Sequence, residues 1–208
     1  MGPECGSEYL VRSTQYSELQ CPREPLPPRR DYSIMTVTMR DRYLGAPEFG
    51  EMLASATKNA DLWAAVWRRT AIPDEFVQRV AALGGAWHLL VLSEDWCGDA
   101  VNTVPVVARL AELAPNTDLR VLARDENLDL MDAHLTGTSR SIPVVIVLDE
   151  EFNERGWWGP RPAALQQWVL GPGQALEKDV RYREIRSWYA RDKGISTLQE
   201  LVSLMERA

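Results

Sequence analysis

The sequence has few cysteines and few histidines, and this scarcity excludes two common kinds of small protein. Only Cys5, Cys21 and Cys97 are present. An odd number of cysteines, two of them in a poorly patterned segment, argues against a disulfide framework. The two histidines, His88 and His134, belong to no close Cys/His cluster, so we expect no structural zinc site and no bound metal.

Long apolar runs and excess positive charge are also missing. No run approaches the roughly 20 residues needed to cross a bilayer, and the first residues lack the basic and apolar regions of a secretory signal. We therefore expect a cytoplasmic protein without membrane partners. The net charge of −7 disfavours a broad nucleic-acid surface, which requires clustered Lys and Arg. The oligomeric state is not indicated.

What is present resembles an ordinary globular chain of 208 residues, 45% hydrophobic and 25% charged. Residues 1–34 differ from the rest, because they include a proline-dense stretch without apolar periodicity. This pattern predicts a disordered arm or a segment added to the native chain.

Periodicity in the remaining chain predicts helices at both ends and strands in the middle. Three helices come first, with Asp61 as the cap of the second. The apolar face of that helix is expected to carry Leu62, Val66 and Trp63. The expected order is then β-α-β-α-β-β-α, an α/β sandwich around a mixed sheet. In sequence, these later elements are the strand Ala86–Leu92, the helix Ala100–Leu113 with Pro105 inside it, the strand Leu119–Ala123, the helix Leu128–Leu135, the hairpin Val144–Trp158, and the helices Ala163–Leu170, Ala175–Arg191 and Thr197–Glu206.

Cys97 occupies a position that favours thiol chemistry. It follows a buried strand and a short polar turn, and it directly precedes the start of a helix. A thiol at that point faces free backbone N–H groups and the positive end of the helix dipole, which both favour the thiolate.

The segment Trp96-Cys97-Gly98-Asp99-Ala100 resembles the W-C-G-P-C motif of thioredoxins. In that family an Ile-Pro pair with a cis peptide bond faces the reactive thiol, and Ile142-Pro143 lies directly before a strand here, as the family has it. The resemblance implies a thioredoxin-like fold, a central mixed sheet flanked by helices with extra helices at both ends. It places an N-terminal helical extension at 35–72, the thioredoxin-like core at 73–170 and a C-terminal helical extension at 171–208.

Departures from the family pattern bear on function. Ala100 stands where a dithiol thioredoxin has its second cysteine, so Cys97 could attack a disulfide but could not resolve its own adduct locally. Val91 replaces the family's buried Asp, which leaves Asp95 or Asp99 as candidates for proton transfer.

Charges around Cys97 act in both directions. Glu94, Asp95 and Asp99 should oppose thiolate formation, whereas Arg140 and Arg124 are candidates to stabilise it. The sequence leaves the net direction open.

Two functions follow from the resemblance. The first is a monothiol oxidoreductase acting on a protein disulfide, a small disulfide or a peroxide. A second thiol would resolve the intermediate. It could come from glutathione or another small thiol as co-substrate, from a partner protein, or from Cys5 or Cys21.

The alternative is a non-catalytic module that binds a peptide or protein between Trp96 and the Ile142-Pro143 loop. A glutaredoxin-like role in iron–sulfur transfer is a third reading, and it would need a glutathione site that is not recognisable in the sequence.

Overall fold

A computed structural model describes residues 37–208. The expectation for residues 1–34 lies outside the described residues. The elements in chain order are α1 Met39–Gly45, α2 Phe49–Ser55, α3 Ala60–Arg69, α4 Asp74–Ala81, β1 Trp87–Ser93, α5 Gly98–Leu113, β2 Thr117–Ala123, α6 Leu128–Asp132, β3 Val144–Leu148, β4 Glu154–Trp158, α7 Ala163–Leu170, α8 Lys178–Asp192 and α9 Ile195–Met205, with single 3₁₀ turns at Arg124–Glu126 and Pro172–Ala175.

The four strands form one mixed sheet in the order β2-β1-β3-β4. Strand β1 pairs parallel with β2 and antiparallel with β3, so that Val91 lies between Val121 and Val145. All five residues of β3 are buried. A continuous run of Val, Ile and Leu is what a strand covered on both faces requires. The sheet and flanking helices confirm the predicted thioredoxin-like α/β architecture.

The segments at the two ends of the chain cover the outer strands of the sheet. The carbonyl of Pro47 accepts a hydrogen bond from the backbone of Val121 at 3.0 Å, so the chain before α2 lies along β2. At the other side, the Glu200 carboxylate of α9 accepts hydrogen bonds from the Trp158 indole at 2.7 Å and the Ala163 backbone at 2.8 Å. Helix α9 therefore joins β4 to the start of α7.

A second, smaller core lies between α7 and α8. Leu165, Ile185 and Tyr189 are buried there, and Trp168 and Trp188 pack against them. This core anchors α8, which in turn reaches the residues around Cys97.

Some local predictions were wrong. Helix α3 begins at Ala60 after Asn59, so Asp61 is not its cap. On the predicted apolar face of α3, Trp63 is fully buried as expected, but Leu62 is 40% exposed, because the face that meets the core carries the larger indole. Helix α8 starts at Lys178 rather than at Ala175, because a 3₁₀ turn occupies Pro172–Ala175.

Helix α5 runs unbroken from Gly98 to Leu113 with Pro105 inside it. Within residues 37–208, no helix combines the length and the hydropathy that a membrane span requires.

Candidate functional site

Cys97 is the N-cap residue of α5, and its thiol points into the fold. Strand β1 is buried up to Ser93 and fixes where the following loop begins. The carbonyl of Cys97 accepts the first helical hydrogen bond, from Val101 at 3.0 Å. Its Sγ donates to the carbonyl oxygen of Ile142 at 3.4 Å, and the residue is 8% exposed. The structure therefore brings Cys97 and the Ile142-Pro143 loop together.

Two X-Pro segments with cis peptide bonds lie against each other beside the thiol. The bonds are Ile142–Pro143 and Gly159–Pro160. A Cβ atom on Gly159 would come within 2.1 Å of the Pro143 carbonyl oxygen, so this backbone approach is open only to glycine. The contact places Arg161, two residues further on, at the same end of the sheet as Cys97.

The pKa of the Cys97 thiol is raised above its ordinary value. Burial is the largest cause, because it penalises the charged thiolate, and the charge of Asp99 acts in the same direction. The backbone N–H groups of Ala100 and Asp99 and the charge of Arg161 lower it, but they do not outweigh burial. The net direction that the sequence left open is thus upward.

Asp99 is the centre of a polar cluster that sequence reasoning missed. Its carboxylate forms an ion pair with Arg161 at 2.5 Å and accepts a hydrogen bond from the Tyr189 hydroxyl at 2.9 Å. The side chains of Asp99 and Arg161 are only 12% and 19% exposed. Asp99 was chosen from the sequence as a candidate for proton transfer. Its partners Arg161 and Tyr189 were not chosen from the sequence.

Asp95 is hydrogen-bonded to the segment between the N-terminal helices α2 and α3. Its carboxylate accepts hydrogen bonds from the backbone of Thr57 and of Lys58, both at 2.8 Å. Its carbonyl accepts from the buried Trp63 indole at 2.9 Å. These contacts engage Asp95 in holding the loop before Cys97, and its role in proton transfer stays a prediction.

Arg124 and Arg140, the predicted stabilisers of the thiolate, are directed to other partners. Arg140 forms a two-bond ion pair with Asp132 at 2.6 and 2.7 Å. Arg124 pairs with Asp125 and lies 5.1 Å from the centre of the Trp96 ring. Arg161, which was not chosen from the sequence, is the guanidinium whose charge lowers the pKa of Cys97.

The remaining motif residues shape the surface around the thiol. Trp96 is 48% exposed, and Gly98 is exposed at the first position of α5. Ala100 is fully buried on α5, at the position where a dithiol site would carry its second sulfur. Among residues 37–208, no group of three or more His, Cys, Asp and Glu side chains could hold a metal ion.

Comparison with known proteins identifies the family. A family model described as thioredoxin matches residues 46–183, more than half of the chain. A Pseudomonas aeruginosa protein of unknown function has a similar crystal structure, with a TM-score of 0.67 and 20% identity over 82% of this chain and 98% of that one.

An HIV epitope-scaffold protein has a TM-score of 0.65 and 20% identity, covering 81% of this chain and 98% of its own. At this level of identity the likenesses show the fold alone. No curated protein matches the sequence. The family match and the fold together show that the chain belongs to the thioredoxin family of the thioredoxin-like superfamily.

Proposed function

We propose that this protein catalyses thiol–disulfide exchange through Cys97 alone, with an external thiol completing the reaction. One observation carries the proposal: the thiol lies at the start of α5, with its Sγ 3.4 Å from the Ile142 carbonyl oxygen. A sulfur at that point is next to a helix N-terminus and next to a loop where an extended substrate can lie.

The reaction begins when Cys97 loses its proton to solvent. The Sγ thiolate attacks one sulfur of a protein or small-molecule disulfide, a bond forms between the two sulfurs, and the substrate S–S bond breaks. The second substrate sulfur leaves as a thiolate and takes up a proton. An external thiolate then attacks the substrate sulfur of the mixed disulfide and releases Cys97 as a thiolate. One substrate sulfur ends as a free thiol, the other ends in a new disulfide with the external thiol, and the protein undergoes no net oxidation.

The helix N-terminus favours the charged forms in both steps. The backbone N–H groups of Asp99 and Ala100 lower the pKa of Cys97, and the same groups stabilise its sulfur as the leaving group in the second step. When the mixed disulfide forms, Cys97 no longer has an S–H to donate. The Ile142 carbonyl oxygen is then free to accept an N–H from the bound substrate.

An external thiol is required because α5 offers no second nucleophile near Cys97. Ala100 fills the corresponding place and is fully buried. Glutathione, another small thiol or a protein thiol could supply the sulfur. Cys5 and Cys21 belong to the segment outside the described residues, and the experiment below tests them by substitution.

The test is turnover of a fluorescent peptide held by a disulfide to a small thiol, with reduced glutathione in excess. We expect Cys97→Ser to reduce the rate to the uncatalysed background. A Cys5→Ser/Cys21→Ser double variant is the matched control and should retain the full rate. If Cys97→Ser keeps the rate, the proposal is lost; if the double variant loses it, the resolving thiol is in the chain itself.

A second candidate is a binding module without catalysis, and the burial of Cys97 favours it. A thiol that is 8% exposed and has a raised pKa is a weak nucleophile at neutral pH. Under this alternative, Cys97→Ala would bind an S-methylated form of the same peptide, which cannot exchange, as tightly as the wild type binds it. If exchange runs at the background rate and Cys97→Ala still binds this peptide as tightly as the wild type, the protein recognises the peptide without catalysing exchange.

A further inference from the structure

The Asp99–Arg161 pair is a nearly buried charge pair beside the proposed nucleophile. Asp99 is in the first turn of α5, two residues after Cys97, and its two carboxylate oxygens have different partners. Oδ2 pairs with the Arg161 guanidinium at 2.5 Å, and Oδ1 accepts from the Tyr189 hydroxyl at 2.9 Å. Charges in such a poorly solvated place act on each other and on the thiol far more strongly than surface charges do.

Arg161 is held by the fold and retains one unused donor. Its Nη1 donates to the Gln166 side chain of α7 at 2.9 Å, and the approach of Gly159 to Pro143 fixes the backbone from which it extends. Among the residues that the structure describes, the buried Nε of Arg161 has no hydrogen-bond partner. A cation held in this way can respond to a new negative charge without a large movement.

Tyr189 reaches Asp99 from α8, outside the range that the thioredoxin family model matches. It is 6% exposed, and burial followed by the charge of Asp99 raises its pKa. Its hydroxyl therefore remains a hydrogen-bond donor over the working pH range, and the C-terminal helix contributes directly to the site.

The other charged groups around Cys97 have partners elsewhere. Glu94 accepts from the Asp125 backbone at 2.9 Å, and Asp95 accepts from Thr57 and Lys58. In the loop before Pro143, Arg140 is paired with Asp132.

Next to Trp96, the Arg124 guanidinium is paired with Asp125. The charges that act on the thiol are those of Asp99 from α5 and Arg161 from the loop before α7, and Tyr189 from α8 is hydrogen-bonded to Asp99.

We propose that Arg161 is the cation that stabilises the Cys97 thiolate during exchange, that Asp99 holds and partly neutralises this cation, and that Tyr189 positions Asp99 from helix α8. The proposal rests on the exchange reaction proposed above, for which it names the residues that set the reactivity of the thiol. Arg161 and Asp99 act on the reacting sulfur through their charges, and Tyr189 is a positioning residue.

Substitution of each of the three residues should shift the pH at which the Cys97 thiolate forms, and the direction differs between them. Asp99→Asn leaves the Arg161 charge unopposed, so the thiolate forms at lower pH. Arg161→Gln leaves the Asp99 charge unopposed, so it forms at higher pH. Tyr189→Phe keeps the packing of α8 but removes a donor from Asp99, which exposes more of that negative charge and gives a smaller shift to higher pH.

The experiment measures the pH dependence of Cys97 alkylation by iodoacetamide in a Cys5→Ser/Cys21→Ser background, where one thiol remains. Ultraviolet absorbance of the thiolate gives the same midpoint without requiring access of the reagent. We expect Asp99→Asn and Arg161→Gln to shift the midpoint by about 1 pH unit in opposite directions. The Asp99→Asn/Arg161→Gln double variant should have a midpoint between those of the two single variants.

Glu206→Gln is the matched control, because Glu206 forms a two-bond pair with Arg79, both at 2.8 Å, that joins α4 to α9 without touching the site. It should leave the midpoint unchanged. Shifts of Asp99→Asn and Arg161→Gln in the same direction, or no shift in either, would overturn the proposal, and an unmoved Tyr189→Phe would remove Tyr189 from it. These titrations need no disulfide substrate, so their failure is distinguishable from an absence of exchange activity.

Discussion

The backbone of Gly159 lies directly on the carbonyl oxygen of Pro143, leaving no room for a side chain between them. A Cβ atom there would be 2.1 Å from that oxygen, and the residue has a φ of +140°, which side-chain-bearing residues rarely adopt. The contact joins the loop that faces Cys97 to the segment that supplies Arg161.

Gly159→Ala should therefore be strongly destabilising. Overpacking and a disfavoured backbone conformation together are expected to cost about 3 kcal/mol in the free energy of unfolding. Gly50→Ala is the matched control, because nothing lies within 4 Å of the added carbon and its helical backbone favours alanine. Urea denaturation of both variants checks this; a Gly159→Ala protein as stable as Gly50→Ala would contradict the observed contact.

The raised pKa of Cys97 predicts a loss of stability at alkaline pH. The unfolded chain releases the thiol proton near the ordinary pKa, about 8.5, while the folded protein still retains it, so the unfolded state binds fewer protons and stability falls as pH rises. The contribution is complete below the ordinary pKa and is lost as the pH rises through the raised value.

Chemical denaturation between pH 7 and pH 10 measures this effect. The wild type should lose more stability over that interval than Cys97→Ala, which has no proton to lose at this position. Equal slopes for the two proteins would contradict the burial argument.

The Asp95 carboxylate predicts a stability change at acid pH. Hydrogen bonds from the backbone of Lys58 and from Thr57 lower its pKa, so its stabilising effect is present above the ordinary pKa, about 3.9, and is lost as the pH falls through the lowered value. Asp95→Asn should cost about 1 kcal/mol at pH 7 and lose less stability than the wild type between pH 7 and pH 3.

Glu151→Gln, which neutralises an exposed carboxylate in the turn between β3 and β4, is the comparison for Asp95→Asn. It should follow the wild-type pH dependence. If Asp95→Asn also follows it, the loop before Cys97 does not depend on this carboxylate.

The sequence predicted the parts of the site that depend on residues adjacent in the chain. Cys97 follows a strand with a strong apolar pattern, and Ile142-Pro143 precedes the even stronger β-branched run of β3. Both positions depend on the period of the sheet, which is the most reliable signal in a chain of this kind.

Arg161 and Tyr189 were not chosen from the sequence. For Arg161 a signal existed: the hairpin pairs Val145 with Trp158, so the residues after Trp158 come to lie beside Pro143, and the hairpin itself was predicted. Tyr189 contacts Asp99 across 90 residues of sequence. That contact depends on how α8 packs on α7, and helix periodicity does not determine such packing.

The net pKa direction of Cys97 was also beyond the sequence. The motif indicates the helix N-terminus, which lowers the pKa, but the degree of burial comes from the Ile142 loop and the core around it. Burial proved larger than the helix effect, and this balance requires the three-dimensional structure.

The most direct test of the account is the intact mass of the Cys5→Ser/Cys21→Ser protein after incubation with oxidised glutathione. We predict a single glutathione adduct on Cys97 that forms faster as pH rises and that reduced glutathione removes, regenerating the free thiol. A folded protein that forms no adduct even at alkaline pH, or an adduct that reduced glutathione does not release, would contradict exchange through Cys97.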